Sequence, residues 1–241
     1  MSRQGMRLTV GALLMMGVLA LSACGIGGSG KASPTATPSA AQIVAKVKAL
    51  QFKDATFTMT LNFTTSGQTI NGTGSGKITK SPDRSDIQFA FPLSVAGSSF
   101  NVQLEEITDG TTTYTKIDST PEIPGFSTNG MWTKGSTGSS SANPFGSTSQ
   151  FGDFTNTLTN ATLVGTDSVN GVAVYHLKGT DTSSSSGGTV DVYVRKDNYQ
   201  PVKADFTETG STPGTFSLVF TGWNTGASIA TPAPDQVTSG S

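Results

Sequence analysis

The feature that most constrains this chain is a strict period of two. Phe57, Met59, Leu61 and Phe63 alternate with Thr58, Thr60, Asn62 and Thr64. Successive side chains of an extended strand point to opposite faces, so such a segment buries one face and wets the other. The same alternation returns in Ile87, Phe89 and Phe91, in Phe100, Val102 and Leu104, in Val190, Val192 and Val194, and in Phe216, Leu218 and Phe220. Weaker strands are expected over 74–79, 112–116, 162–166, 172–178 and 202–207. Ser66-Gly67, Pro82-Asp83, Asp109-Gly110, Asn170-Gly171 and Asp197-Asn198 are turn signals between them, so successive strands should run antiparallel.

Only two segments read as helices. Ser39 and Gln42 have capping-box spacing, and Ile43, Val44, Val47 and Leu50 follow at helical intervals with Lys46 and Lys48 on the other side. The second, over 147–158, places Phe151, Phe154 and Leu158 on one face after Pro144. The stretch 121–143, rich in Gly, Ser and Pro around Met131-Trp132, reads as a long loop or flap. The expected class is mainly β with a few helices (α+β). About ten or eleven antiparallel strands exceed what an open sheet carries without curling, so the sheet should be strongly curved and wrapped over the short helices. Its concave face would be apolar and thinly filled. A cavity there and a completely filled interior are both compatible with the pattern.

The N-terminus is of a different kind. Arg3 and Arg7 precede an apolar run from Leu8 to Leu21, broken only by Thr9, Gly11 and Gly17, and then comes Leu21-Ser22-Ala23-Cys24. That order is basic region, apolar region, small-residue cleavage site. The run is too short and too interrupted for a membrane span, which needs about 20 predominantly apolar residues. Leu-Ser-Ala-Cys resembles the bacterial lipobox, in which the cysteine is acylated and becomes the first residue. Residues 1–23 are therefore expected to be a lipoprotein signal peptide. Residues 24–38 would be the lipidated Cys24 and a flexible linker, 39–229 one folded domain, and 230–241 a disordered tail. Cys24 is the one cysteine in the chain, so no disulfide is possible within it. Acyl chains there would hold the protein to a cell membrane on its extracytoplasmic side.

Catalytic and nucleic-acid readings find little support. The formal charge is −1 and only 13% of residues are charged, without the clustered basic face that nucleic acid requires. Gly72-Thr73-Gly74-Ser75-Gly76-Lys77-Ile78-Thr79 fails as a phosphate loop. Asn71 stands where the first glycine is needed and Ile78 where a hydroxyl must reach magnesium, so glycines of a twisted strand or bulge explain it better. His176 is the one histidine and has no matching nucleophile elbow. Glu105, Glu106 and Asp109 read as solvated edge charges, with a calcium site as the lesser alternative. Trp132, Phe126 and Phe145 read as packing under a loop before a lipid-contacting lid. No metal, cofactor or catalytic residue is expected.

Several segments together resemble the LppX/LprAFG group of mycobacterial-type lipoproteins, whose fold is related to the LolA and LolB lipoprotein carriers. They are the opening helix leading into Ala55-Thr56-Phe57-Thr58-Met59; Gly74-Ser75-Gly76-Lys77-Ile78 running into Pro82-Asp83-Arg84; and Asp109-Gly110-Thr111-Thr112-Thr113-Tyr114 with Trp132-Thr133-Lys134. The stretch from Leu163 to Val172 with Tyr175-His176, and Val192-Tyr193-Val194-Arg195-Lys196-Asp197 with Pro201-Val202-Lys203, complete them. The resemblance implies a half-barrel sheet over helices, an apolar cavity between them, and binding of acylated lipid or glycolipid carried within the cell envelope. It supplies no catalytic residues.

By alternation, the expected lining is Phe57, Met59, Leu61, Phe89, Phe91, Phe100, Val102, Leu104, Phe151, Phe154, Val192, Phe216 and Leu218. The expected partners are membrane lipids and, through the anchor, the bacterial membrane; a membrane transporter is an open further partner. The alternative is a surface structural or sensory module that uses the curled sheet for protein contacts and has no lipid cavity.

Overall fold

Backbone hydrogen bonding gathers the alternating segments into one sheet. The computed structural model describes residues 37–65, 67–95, 97–123, 128–136, 158–181, 188–209 and 213–239. The chain divides into two units, Met1–Thr37 and Pro38–Ser241, and the fold described is that of the second. It opens with helix α1 (Ala40–Lys48), where Ser39 Oγ accepts from Gln42 N at 3.3 Å and Gln42 Oε1 accepts from Ser39 N at 2.8 Å. This reciprocal cap satisfies two of the orphan donors at the helix start. Ile43 and Val47, one turn apart, are buried, as their spacing requires.

Among the described residues twelve strands follow: β1 (Asp54–Thr65), β2 (Gln68–Lys80), β3 (Asp83–Val95), β4 (Ser98–Asp109), β5 (Thr112–Thr120), β6 (Trp132–Ser136), β7 (Thr159–Val169), β8 (Val172–Asp181), β9 (Gly188–Arg195), β10 (Pro201–Glu208), β11 (Gly214–Trp223) and β12 (Val237–Ser239). Their order across the sheet is β12-β6-β5-β4-β3-β2-β1-β11-β10-β9-β8-β7. Every neighbouring pair is antiparallel except β12 with β6. Tight turns link β2 to β3, β4 to β5 and β7 to β8. At Asn170 and Gly171, φ is +50° and +79°, the doubly left-handed backbone of a two-residue hairpin turn, which Asn-Gly accepts at low cost.

The sheet is strongly curved. β3 and β11 are three strands apart, about 14 Å at normal inter-strand spacing, yet the rings of Phe89 and Phe216 approach to 6.5 Å between centroids. The face that carries them is therefore concave, and it is the face whose alternating residues join α1 in the main hydrophobic core. β2 contributes glycine at Gly72, Gly74 and Gly76 on this face. A Cβ on Gly74 would stand 2.9 Å from Phe89 Cδ1 and 3.0 Å from Met59 Cε, and one on Gly76 would overlap the Phe57 ring. The glycines thus make room for large side chains of β1 and β3. Gly74 and Gly76 pair with both strands, and Gly72 with β1, without a register shift, so they are not a bulge.

The five segments expected from alternation and the five weaker ones are all strands, and most extend further than expected. The two additional strands arise where the sequence read as loop and tail. β6 lies within 121–143, its Trp132 buried against Ile107 and Ile229 on the convex face. The tail does not stay disordered over 230–239: Pro234–Gln236 makes a turn of 3₁₀ helix and β12 pairs with β6. Ile229 and Val237 join the Trp132 cluster, and those two apolar side chains hold the otherwise polar, Pro-rich segment. The expected helix over 147–158 lies outside the described residues except for Leu158, which is buried.

Candidate functional site

The concave face is graded along its strands. At the end carrying Asp54 and Trp223, called the lower end, Ala55, Phe57, Ile87, Val194 and Ala204 are buried to 1% exposure or less. At the opposite end Leu61, Phe63, Leu93, Phe100, Phe206 and Phe216 remain only partly buried. Within β1, Phe57 and Met59 are buried whereas Leu61 and Phe63 are only partly so, and the upper-end residues Leu93, Phe100 and Phe216 of β3, β4 and β11 are likewise partly buried, although Ile70 on β2 is buried. On β8 and β9 the pattern differs: Leu177, Val190, Val192 and Val194 are fully buried.

Aromatic rings close the lower end. Phe52 meets Trp223 edge-on at 5.0 Å, Trp223 stacks on Phe220 at 4.7 Å, and Phe220 meets Phe57 at 6.1 Å. Offset and edge-on ring pairs each add about 1 kcal/mol beyond the area they bury. Trp223 Nε1 donates to the Pro201 carbonyl at 3.2 Å. Beside these rings the Asp54 carboxylate is buried and receives the Thr225 hydroxyl at 2.8 Å, the Thr225 amide at 2.7 Å and the Gly226 amide at 3.1 Å. The Thr225 hydroxyl, with the amides of Thr225, Ala227 and Gly226, holds the Asp54 carboxyl below the usual carboxylate range against the opposing effect of burial.

Of the expected lining, Phe57, Met59, Leu61, Phe89, Phe91, Phe100, Val102, Leu104, Val192, Phe216 and Leu218 all fall on the concave face. Phe151 and Phe154 lie outside the described residues. Expectation omitted Phe63, Leu93, Phe206 and Phe220, although the same alternation reaches each of them. It also omitted the cleared positions Gly72, Gly74 and Gly76, which a search for large apolar residues passes over.

The polar residues weighed for chemistry are distributed as follows. Glu105 is on the convex face, 2.7 Å from Lys116 Nζ, and accepts from Gln88 Nε2 at 3.1 Å. Glu106 is not a solvated edge charge: it is 3% exposed, on the concave face opposite Ile87. The alternation that sends Glu105 outward sends its neighbour inward. Asp109 pairs with Arg84 across β3 and β4 at 3.0 Å. No group of three His, Cys, Asp or Glu that could hold a metal ion occurs among the described residues. His176 lies on the convex face, its Nε2 2.7 Å from Asp191 Oδ1 and its ring stacked on Tyr193 at 4.6 Å. Burial, with the charges of Asp205 and Asp191, pushes the Tyr193 phenol above its usual range. Trp132 sits beneath Lys116 in the convex-face cluster, away from the concave face. No helix among the described residues is long and apolar enough to cross a membrane.

Solved structures similar to this chain include the lipoprotein LppX of Mycobacterium tuberculosis, at 11% identity over 79% of this chain and 99% of that one, with a TM-score of 0.44. LprF from Mycobacterium bovis is similar at 15% identity over 80% and 97%, with a TM-score of 0.46. A LolA superfamily protein from Nitrosomonas europaea follows at 12% identity over 83% and 96%, with a TM-score of 0.31. No protein-family model and no curated protein matches the chain.

Proposed function

We propose that this protein is a non-enzymatic lipoprotein that binds acylated lipid or glycolipid against its concave face and carries it within the cell envelope, held to the membrane through Cys24. The observation that carries this reading is the one-ended exposure of the concave face. Six apolar side chains, Leu61, Phe63, Leu93, Phe100, Phe206 and Phe216, are left partly open at one end, while rings and a capped carboxylate close the other. An acyl chain would enter at the open end, part Phe89 from Phe216, and lie tail-first toward Trp223. A ~16-carbon chain gains on the order of 13 kcal/mol gross on leaving water, at ~0.8 kcal/mol per methylene. It gains nearly as much in a bilayer, so exchange between protein and membrane is close to balanced. That balance suits a carrier. The contact between Phe89 and Phe216 is also what favours the other reading, a filled module that uses its surface for protein contacts.

Native mass spectrometry of the protein purified from a bacterial host, followed by organic extraction, separates the two. A bound species of several hundred daltons with acyl fragments supports the carrier. A bare protein mass that persists after incubation with phospholipid vesicles removes it. The anchor is tested on the same material, since an N-terminal acyl mass must disappear in Cys24→Ala.

A further inference from the structure

The convex face of β2–β5 is not featureless. Thr73, Ala90, Gln103 and Asp118 stand side by side across the four strands, and Ser75, Gln88, Glu105 and Lys116 form the next row. Thr73, Ser75 and Ala90 are short and the residues beside them are long, so the two rows enclose an open groove of about 430 Å³. That volume is within the range of small-ligand sites, about 300–1,000 Å³.

Its chemistry selects a ligand class. The single ammonium, Lys116, is 2.7 Å from Glu105, and Gln88 donates to the same carboxylate at 3.1 Å, so no cationic group is left to attract an anion. Asp118 Oδ1 accepts from Gly130 N at 3.0 Å. The side chains of Gln103, Thr73 and Ser75 have no hydrogen-bond partner among the described residues and face the groove. An amide offers two donors and an acceptor, and each hydroxyl offers both roles. This set matches a neutral molecule dense in hydroxyl groups. The geometry points to a saccharide site on the convex face, separate from the acyl site and independent of it, that takes a short neutral glycan across β2–β5. No ring platform strengthens it, because Trp132 is buried beneath Lys116, so the dissociation constant should be about 1 mM.

The test is amide NMR of the purified protein titrated with maltose, with N,N′-diacetylchitobiose and, as a control, with inorganic phosphate. Saturable shifts confined to β2–β5 with either disaccharide and none with phosphate are expected. Gln103→Ala should weaken binding roughly tenfold, and Ala90→Leu, which fills the floor from an exposed position, should abolish it at unchanged melting temperature. No shift with either disaccharide, shifts that survive Ala90→Leu, or a response to phosphate in place of sugar would each overturn the assignment.

Discussion

The two ends of the concave face are built from the same residue types on the same strands, yet they behave differently. At the lower end Phe57, Phe220 and Trp223 pack on one another and the segment after β11 ties down the strand ends: Asn224 N donates to the Asp54 carbonyl at 2.8 Å and Asn224 Oδ1 accepts from Lys53 N at 2.7 Å. Farther along the same segment, the Ile229 carbonyl accepts from Arg84 Nη1 at 2.9 Å. At the upper end Leu61, Leu93 and Phe100 remain only partly buried. Alternation decides which face a side chain occupies, whereas its depth depends on what crosses the strand ends. In this protein the segment that follows β11, from Asn224 to Ile229, does the crossing, and it makes the lower end structural.

The largest difference should appear in stability. Phe57 is 1% exposed and its ring occupies the space cleared by Gly76, so Phe57→Ala leaves a cavity that neighbouring backbone cannot fill. It should cost about 3–5 kcal/mol in urea-induced unfolding. A loss near 1 kcal/mol would mean that the lower end relaxes as readily as the upper and would erase the contrast.

At the upper end the same substitution should move function and leave the fold. Phe100→Ala removes a partly buried ring, and its cost should be about 1 kcal/mol. Uptake of a fluorescent fatty acid should weaken roughly tenfold, by lost contact at the point of entry. Unchanged uptake with a large loss of stability would reverse the roles assigned to the two ends.

Much of this was legible in the sequence because a period of two is a direct statement about strand faces. The five segments that carried it are strands, as are the five weaker ones, and Ser39 with Gln42 announced α1 as they cap it. Three features were not legible, each for a physical reason. The crossing segment 224–239 has few apolar residues, and Ile229 and Val237 matter only because Trp132 is across from them. Gly72, Gly74 and Gly76 act through absent side chains, which no count of hydrophobic positions registers. The burial of Glu106 follows from alternation, but its carboxylate dominates a reading by charge. The gradient from one end of the concave face to the other is a property of tertiary crossing, so no single strand contains it.

The smallest effect tests how the closed end is fastened. Asp54 is held below the usual carboxylate range in the folded protein by the Thr225 hydroxyl and the amides around it. A depressed folded value means that the unfolded chain binds a proton more readily, so this carboxylate stabilises the fold above its unfolded pKa of about 3.9. That contribution is lost as pH falls through the lower folded value. Asp54→Asn keeps the shape but weakens acceptance of the Thr225 and Gly226 donors, so its melting temperature should lie below that of the parent at neutral pH. As pH falls below about 4 and through the lower folded value the two should converge, because the parent carboxyl then becomes protonated as well. Phe100→Ala, remote from Asp54, should run parallel to the parent across the same range. A gap for Asp54→Asn that stays constant into acid would show that Asp54 fastens the lower end by shape rather than by charge.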